Sequence, residues 1–132
     1  QLEQLQKIQR KRICLWERYF SRLKMLKERG LINLPDLPEY AKNNGHMFFI
    51  ICRNKSERSD LIKYLRQESI LAVFHYQSLH KSPFYGRKHD GRDLPNADRY
   101  SDRLLRLPLY FELTEREQDI VIDSVFDFYL GK

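Results

Sequence analysis

Apolar residues along the first 30 positions recur at helical rather than strand spacing. At about 100° per residue, Leu2, Leu5, Ile8, Ile13, Leu15, Trp16, Tyr19, Phe20, Leu23 and Leu26 fall within an arc of roughly 160°. The pattern predicts one long amphipathic helix over residues 1–29, ended by Gly30. Arg12 interrupts the arc, and Cys14 and Met25 fall on its polar side.

Residues 31–45 carry Pro35, Pro38 and the turn signal Asn43-Asn44-Gly45, which predicts an irregular connection with at most a short extended piece. His46 to Arg53, HMFFIICR, is a near-continuous apolar run of strand length and reads as a central strand. Ser56 is a candidate cap for a helix over 57–67 that turns Leu61, Ile62 and Leu65 inward. ILAVFHY then reads as a second strand ending near His75 or Tyr76. A helix is expected over 97–105, followed by a short extended segment, RLPLY, interrupted by Pro108. Thr114-Glu115-Arg116-Glu117 matches a capping box that starts a last helix burying Ile120, Val121, Val125 and Tyr129.

The fold class expected from this order is α/β: a small, mostly antiparallel sheet covered by helices, with a long N-terminal helix. At 132 residues the chain suits a single domain, with the α/β part over 46–132 and a long loop over 75–96.

Composition narrows the class. Hydrophobic residues at 42% and charged residues at 32% are globular proportions. No apolar run approaches the roughly 20 residues that span a bilayer, and nothing resembles a signal-peptide core, so neither membrane insertion nor secretion is expected. Cys14 and Cys52 have no metal-site or redox spacing and read as reduced thiols in a cytoplasm. The net charge of +6 lies entirely in the first 30 residues, where Lys7, Arg10, Lys11, Arg12, Arg18, Arg22, Lys24, Lys27 and Arg29 outnumber Glu3, Glu17 and Glu28. A solvated cationic helix face explains this more simply than a nucleic-acid surface.

The stretch FHYQSLHKSPFYGRKHDG, residues 74–91, holds three of the four histidines together with aromatics and cations. A structureless loop of this length is usually functional or disordered, and Phe84 and Tyr85 argue against disorder. His75, His80 and His89 lack the spacing that would fix a metal site, and no single histidine here declares a catalytic partner. Anion binding suits the loop better: Lys81, Arg87, Lys88 and Arg92 could meet phosphates while Tyr76, Phe84 or Tyr85 packs against a sugar or base.

AVFHYQSLHKSPFYG, followed by LPNADRYSDRLLRLPLYFELTEREQDIVIDSVFDF, resembles the C-terminal part of the DegT/DnrJ/EryC1/StrS family of pyridoxal-phosphate-dependent sugar aminotransferases. The His-Tyr pair before Leu79-His80, the Asn96-Ala97 helix start running into Leu107-Pro108-Leu109, and LTEREQ carry the match. The resemblance implies the C-terminal small domain of a fold-type-I enzyme, joined to an upstream large domain that holds the cofactor lysine. This segment would then contain no catalytic, cofactor-binding or metal residue and would be inactive alone. The resemblance places His75 and Tyr76 against the substrate, with His80 nearby, in a homodimeric parent. Within the family the chain most resembles the branch converting dTDP-4-keto-6-deoxyglucose to dTDP-4-amino-4,6-dideoxygalactose. That branch uses glutamate as amino donor and serves lipopolysaccharide and enterobacterial common antigen sugars. The alternative is a stand-alone basic module for RNA or an acidic partner.

Overall fold

A computed structural model of the protein describes residues 4–131. It is a mixed α/β structure in which, among the described residues, four α-helices surround a two-stranded antiparallel sheet. Helix α1 spans Leu5–Glu28, strand β1 Phe48–Ile51 and helix α2 Lys55–Gln67. Helix α3, Pro95–Arg103, runs straight into strand β2, Leu104–Leu107, and helix α4, Glu115–Leu130, closes the chain.

The arc read on α1 is the face that packs. Leu15, Trp16, Tyr19, Leu23 and Leu26 are buried, whereas Leu5 is exposed and Ile8, Ile13 and Phe20 are half-buried. Leu2 lies outside the described residues. Tyr19 stacks on Phe48 of β1 at 5.0 Å, and Trp16 meets the same ring edge-on at 5.4 Å. Leu61 and Leu65 of α2, Leu105 and Leu107 of β2, and Val121, Ile122 and Val125 of α4 complete the core. Gly30, at φ +69°, ends α1 by letting Gly30 N and Leu31 N bond Lys27 O and Leu26 O.

The cations of α1 are only partly solvated. Arg18 grips Asp119 of α4 through two bonds of 2.9 and 3.0 Å, and Arg22 joins them at 3.0 Å. Arg12, the interruption in the arc, donates to the carbonyls of Gly45 and His46 in the Asn-Asn-Gly turn. Gly45 is required there, because a Cβ would come within 3.0 Å of the Arg12 backbone.

Five expectations need correction, the last of them the second strand. Asn54, not Ser56, caps α2: its Oδ1 accepts from Glu57 N at 2.9 Å, so the helix starts at Lys55. The segment 97–105 is not all helix, because Leu104 and Leu105 pair with Ile51 and Ile50 as part of β2. Ile120 is half exposed, and Gln118 takes its place in the core by donating to Leu15 O at 2.6 Å. Tyr129 is half-buried, its hydroxyl bonded to Glu57 at 2.8 Å.

The expected second strand, ILAVFHY, is reduced to one bridge between Val73 and Arg106 on the free edge of β2. Its two bonds are 3.2 and 2.7 Å. In antiparallel register the next bonded pairs would be Leu71 with Pro108 and His75 with Leu104. Pro108 has no N–H to give. Leu104 has already committed its own N–H to Tyr100 O, closing α3. With a donor missing on both sides, the ladder stops after one rung. On the other edge, Asn33 bridges Ile51 through two bonds of 2.9 Å, which is the short extended piece expected before the turn.

Candidate functional site

The chain leaves the sheet edge after Val73, and Phe74, His75 and Tyr76 follow at once. His75 is half-buried, whereas Tyr76 is 77% exposed, the two rings meeting at 4.6 Å across a cis peptide. Val73 lies opposite Arg106, so His75, two residues on, lies diagonally across on the same face. Arg106 Nη1 reaches His75 Nδ1 at 3.2 Å.

Phe74 points the other way, to a cleft of about 230 Å³ shared with Lys55, Arg58, Ser78, Lys81 and Asp102. The Arg58 guanidinium lies over the Phe74 ring, 4.2 Å from its centroid. Arg58 is 4% exposed, and its Nε and Nη1 have no hydrogen-bond partner. The ring face is therefore the main compensation for this buried cation.

His80 has partners of its own. It lies in a short 3-10 turn, Leu79–Lys81, with Nε2 3.1 Å from Asp98 Oδ1 of α3. Its ring is 5.2 Å from that of His89, and both line a second cleft of about 340 Å³ with Tyr85, Lys88 and Arg92. Asp98 organises the loop: Lys81 bonds it at 2.9 Å and the Ser78 hydroxyl at 3.2 Å. The Lys81 bond, then the Ser78 bond, hold the Asp98 carboxyl below the ordinary aspartate range, and the same contact raises Lys81.

The loop cations named from sequence are thus unequal. Lys81 is occupied by Asp98, Arg92 sits 3.6 Å from Asp90, and Lys88 lies over Phe84 at 4.2 Å. Arg87 is exposed. Sequence reasoning missed Arg58, Asp98 and Arg106. Asp98 and Arg58 sit on helices whose facing partners come from distant segments, and no sequence signal marks them. Another cleft, about 530 Å³, lies away from these residues, between Leu71 and Ile120.

No group of three or more His, Cys, Asp or Glu among the described residues could hold a metal, and no described helix is long and apolar enough to cross a membrane. A lysine that carries pyridoxal phosphate needs its amine desolvated in a cleft. The described lysines are exposed, apart from half-buried Lys11, whose amine lies over the Phe111 ring. None of these described lysines fits that role.

A model of the DegT/DnrJ/EryC1/StrS aminotransferase family matches residues 1–126. The 3-oxo-glucose-6-phosphate:glutamate aminotransferase of Bacillus subtilis is 32% identical over 120 residues, 88% of this chain and 26% of that protein. The aminotransferase TlmJ from Streptoalloteichus hindustanus superposes with a TM-score of 0.85 at 26% identity, over 96% of this chain and 33% of the other. NtdA from Bacillus subtilis, with bound cofactor PMP, gives 0.80 at 29% identity, over 92% and 28%. The chain therefore spans a third or less of the length of each of these relatives. The structural neighbours are fold-type-I aminotransferases, which agrees with the fold class read from the sequence. The family model covers residues 1–126 and the fold agrees with it: the chain belongs to the DegT/DnrJ/EryC1/StrS aminotransferase family, whose cofactor is pyridoxal phosphate.

Proposed function

We propose that this chain is the C-terminal small domain of a cytoplasmic, homodimeric sugar aminotransferase, and that His75 and Tyr76, with His80 in the adjoining loop, form its contribution to the sugar site. An upstream large domain supplies pyridoxal phosphate and the catalytic lysine, and the segment alone is inactive. The substrate is dTDP-4-keto-6-deoxyglucose, aminated from glutamate to dTDP-4-amino-4,6-dideoxygalactose for lipopolysaccharide or enterobacterial common antigen.

One observation carries the reading. An exposed tyrosine and an oriented histidine leave the sheet together and open a loop of aromatic and basic side chains, the composition that a phosphorylated sugar requires. The relative named for a 3-oxo-glucose-6-phosphate:glutamate reaction supports glutamate as donor. It also favours a second reading, a keto-sugar monophosphate in place of the nucleotide-sugar.

In the full enzyme, His75→Ala and Tyr76→Phe should each lower kcat/KM for the sugar at least tenfold, with folding and cofactor absorbance intact. Losing one hydrogen bond to a charged ligand costs about 1.5–3 kcal/mol. Parallel assays with the dTDP-sugar and with a 3-keto-sugar phosphate decide between the substrates. Unchanged sugar kinetics in both variants, or loss of the fold in both, would refute the assignment of the site.

A further inference from the structure

We infer that Arg106 is a positioning residue that holds His75 as the Nε2–H tautomer, so that the ring offers its substrate a hydrogen-bond donor. The inference rests on the site proposed above and adds the residue that sets the chemical character of that site.

A guanidinium carries five N–H groups and no lone pair to share, so it can only donate. The 3.2 Å contact between Arg106 Nη1 and His75 Nδ1 therefore requires Nδ1 to accept. A neutral imidazole whose Nδ1 accepts carries its proton on Nε2, because the partner of one ring nitrogen fixes the role of the other. The far edge of the ring becomes a donor, suited to an oxygen with lone pairs: a sugar carbonyl, a ring oxygen or a phosphate. A ligand group that only donates finds no acceptor there.

The arrangement is built into the backbone. Arg106 is the middle of the only rung joining β2 to the segment ending at His75, its N–H bonded to Val73 O at 2.7 Å. On its other side it sits opposite Phe49 of β1. Two neighbours thus fix its Cα, and the diagonal geometry brings its side chain to His75. The position calls for a long side chain with an obligate donor at its end, and a threonine or valine suited to strand geometry would not reach.

The test uses the holoenzyme containing this chain, labelled with nitrogen-15 in its histidine rings, with the His75 signals assigned by their loss in His75→Gln. The wild type should show a protonated Nε2 and an unprotonated, hydrogen-bonded Nδ1. Arg106→Met keeps the aliphatic stem and removes the donor: the Nδ1–H form should then become populated, and KM for the keto-sugar should rise about tenfold while kcat changes much less. Arg106→Lys, which can only donate, should restore the tautomer and most of the affinity. An Nδ1–H tautomer in the wild type, or a tautomer unmoved in Arg106→Met, overturns the inference whatever the kinetics. Normal sugar KM in His75→Gln overturns the proposed site instead, and the ring spectra still decide what Arg106 does.

Discussion

Replacing Arg58 by methionine should leave the fold nearly as stable as before, although a 96% buried arginine is lost. The guanidinium has two nitrogens, Nε and Nη1, with no acceptor. Each unsatisfied buried donor costs about 1–3 kcal/mol. Against this stands the stacking on Phe74, worth about 2 kcal/mol where the cation is desolvated. Methionine retains the stem and forfeits a few heavy atoms beside a cleft already open, adding about 1 kcal/mol of lost packing. The opposing terms nearly cancel, so Arg58→Met should fall within about 1 kcal/mol of wild type. Phe74→Ala is the reverse case, since it removes the ring and leaves the charge. It should cost about 2–3 kcal/mol even though Phe74 is half exposed. Urea unfolding followed through Trp16, the sole and buried tryptophan of the chain, measures both as midpoint shifts at constant slope. A loss of 3 kcal/mol or more in Arg58→Met would refute the reasoning, because the guanidinium would then need a hydrogen-bonded partner of its own. Phe74 precedes His75, so in the full enzyme the stable Arg58→Met variant should still bind sugar more weakly, separating stability from function.

Further expectations concern the loop, the last helix and the two thiols. Thr114→Ala removes the acceptor of Glu117 N, 3.2 Å away, and should destabilise the chain by about 1 kcal/mol in the same unfolding assay. Asp98→Asn should speed tryptic cleavage after Arg87 or Lys88 at neutral pH. Because the Asp98 carboxyl is held low in the fold, its stabilisation is present above the ordinary aspartate range and lost as pH falls through its depressed value, so the wild type should approach the variant in acid. Cys14 is exposed and should alkylate quickly in the native protein, while buried Cys52 reacts only on unfolding. Burial pushes the Cys52 thiol up from 9.0 to about 11. Stability should therefore be unaffected by this group below pH 9 and fall by roughly 2–3 kcal/mol as pH rises towards 11, an effect absent in Cys52→Ala.

What could be read from the sequence was local. The arc of α1 from Ile8 onward, its stop at Gly30 and the Thr114–Glu117 capping box depend on residues within a turn or two of each other, and these form as expected, whereas Leu5 at the start of the arc stays exposed. The cap of α2 was ambiguous for a local reason: Asn54 and Ser56 are both good caps. Glu57 settles it by also accepting from Arg53 N at 3.1 Å, which fixes the start of the helix two residues earlier in the chain than Ser56 would. Gln118 was illegible because its burial is justified only by a carbonyl of α1, more than a hundred residues away in sequence. The same holds for Asp119, whose partners Arg18 and Arg22 belong to the opposite end of the chain.

The failed strand and the candidate site have one cause. ILAVFHY has the composition of a strand, but pairing depends on donors belonging to other segments, and Pro108 and Leu104 have none to give. Had Leu104 been free to bond His75, the backbone would have continued along β2 with side chains alternating into and out of the sheet, and Tyr76 would have been held at its edge. Because the helix α3 cap takes that N–H, the chain departs after a single rung. The side chain of Arg106 then makes to His75 the contact that the ladder does not make. The residues that sequence could name, His75 and Tyr76, are thus placed by two that it could not: Leu104, by withholding a backbone donor, and Arg106, by supplying one from its side chain.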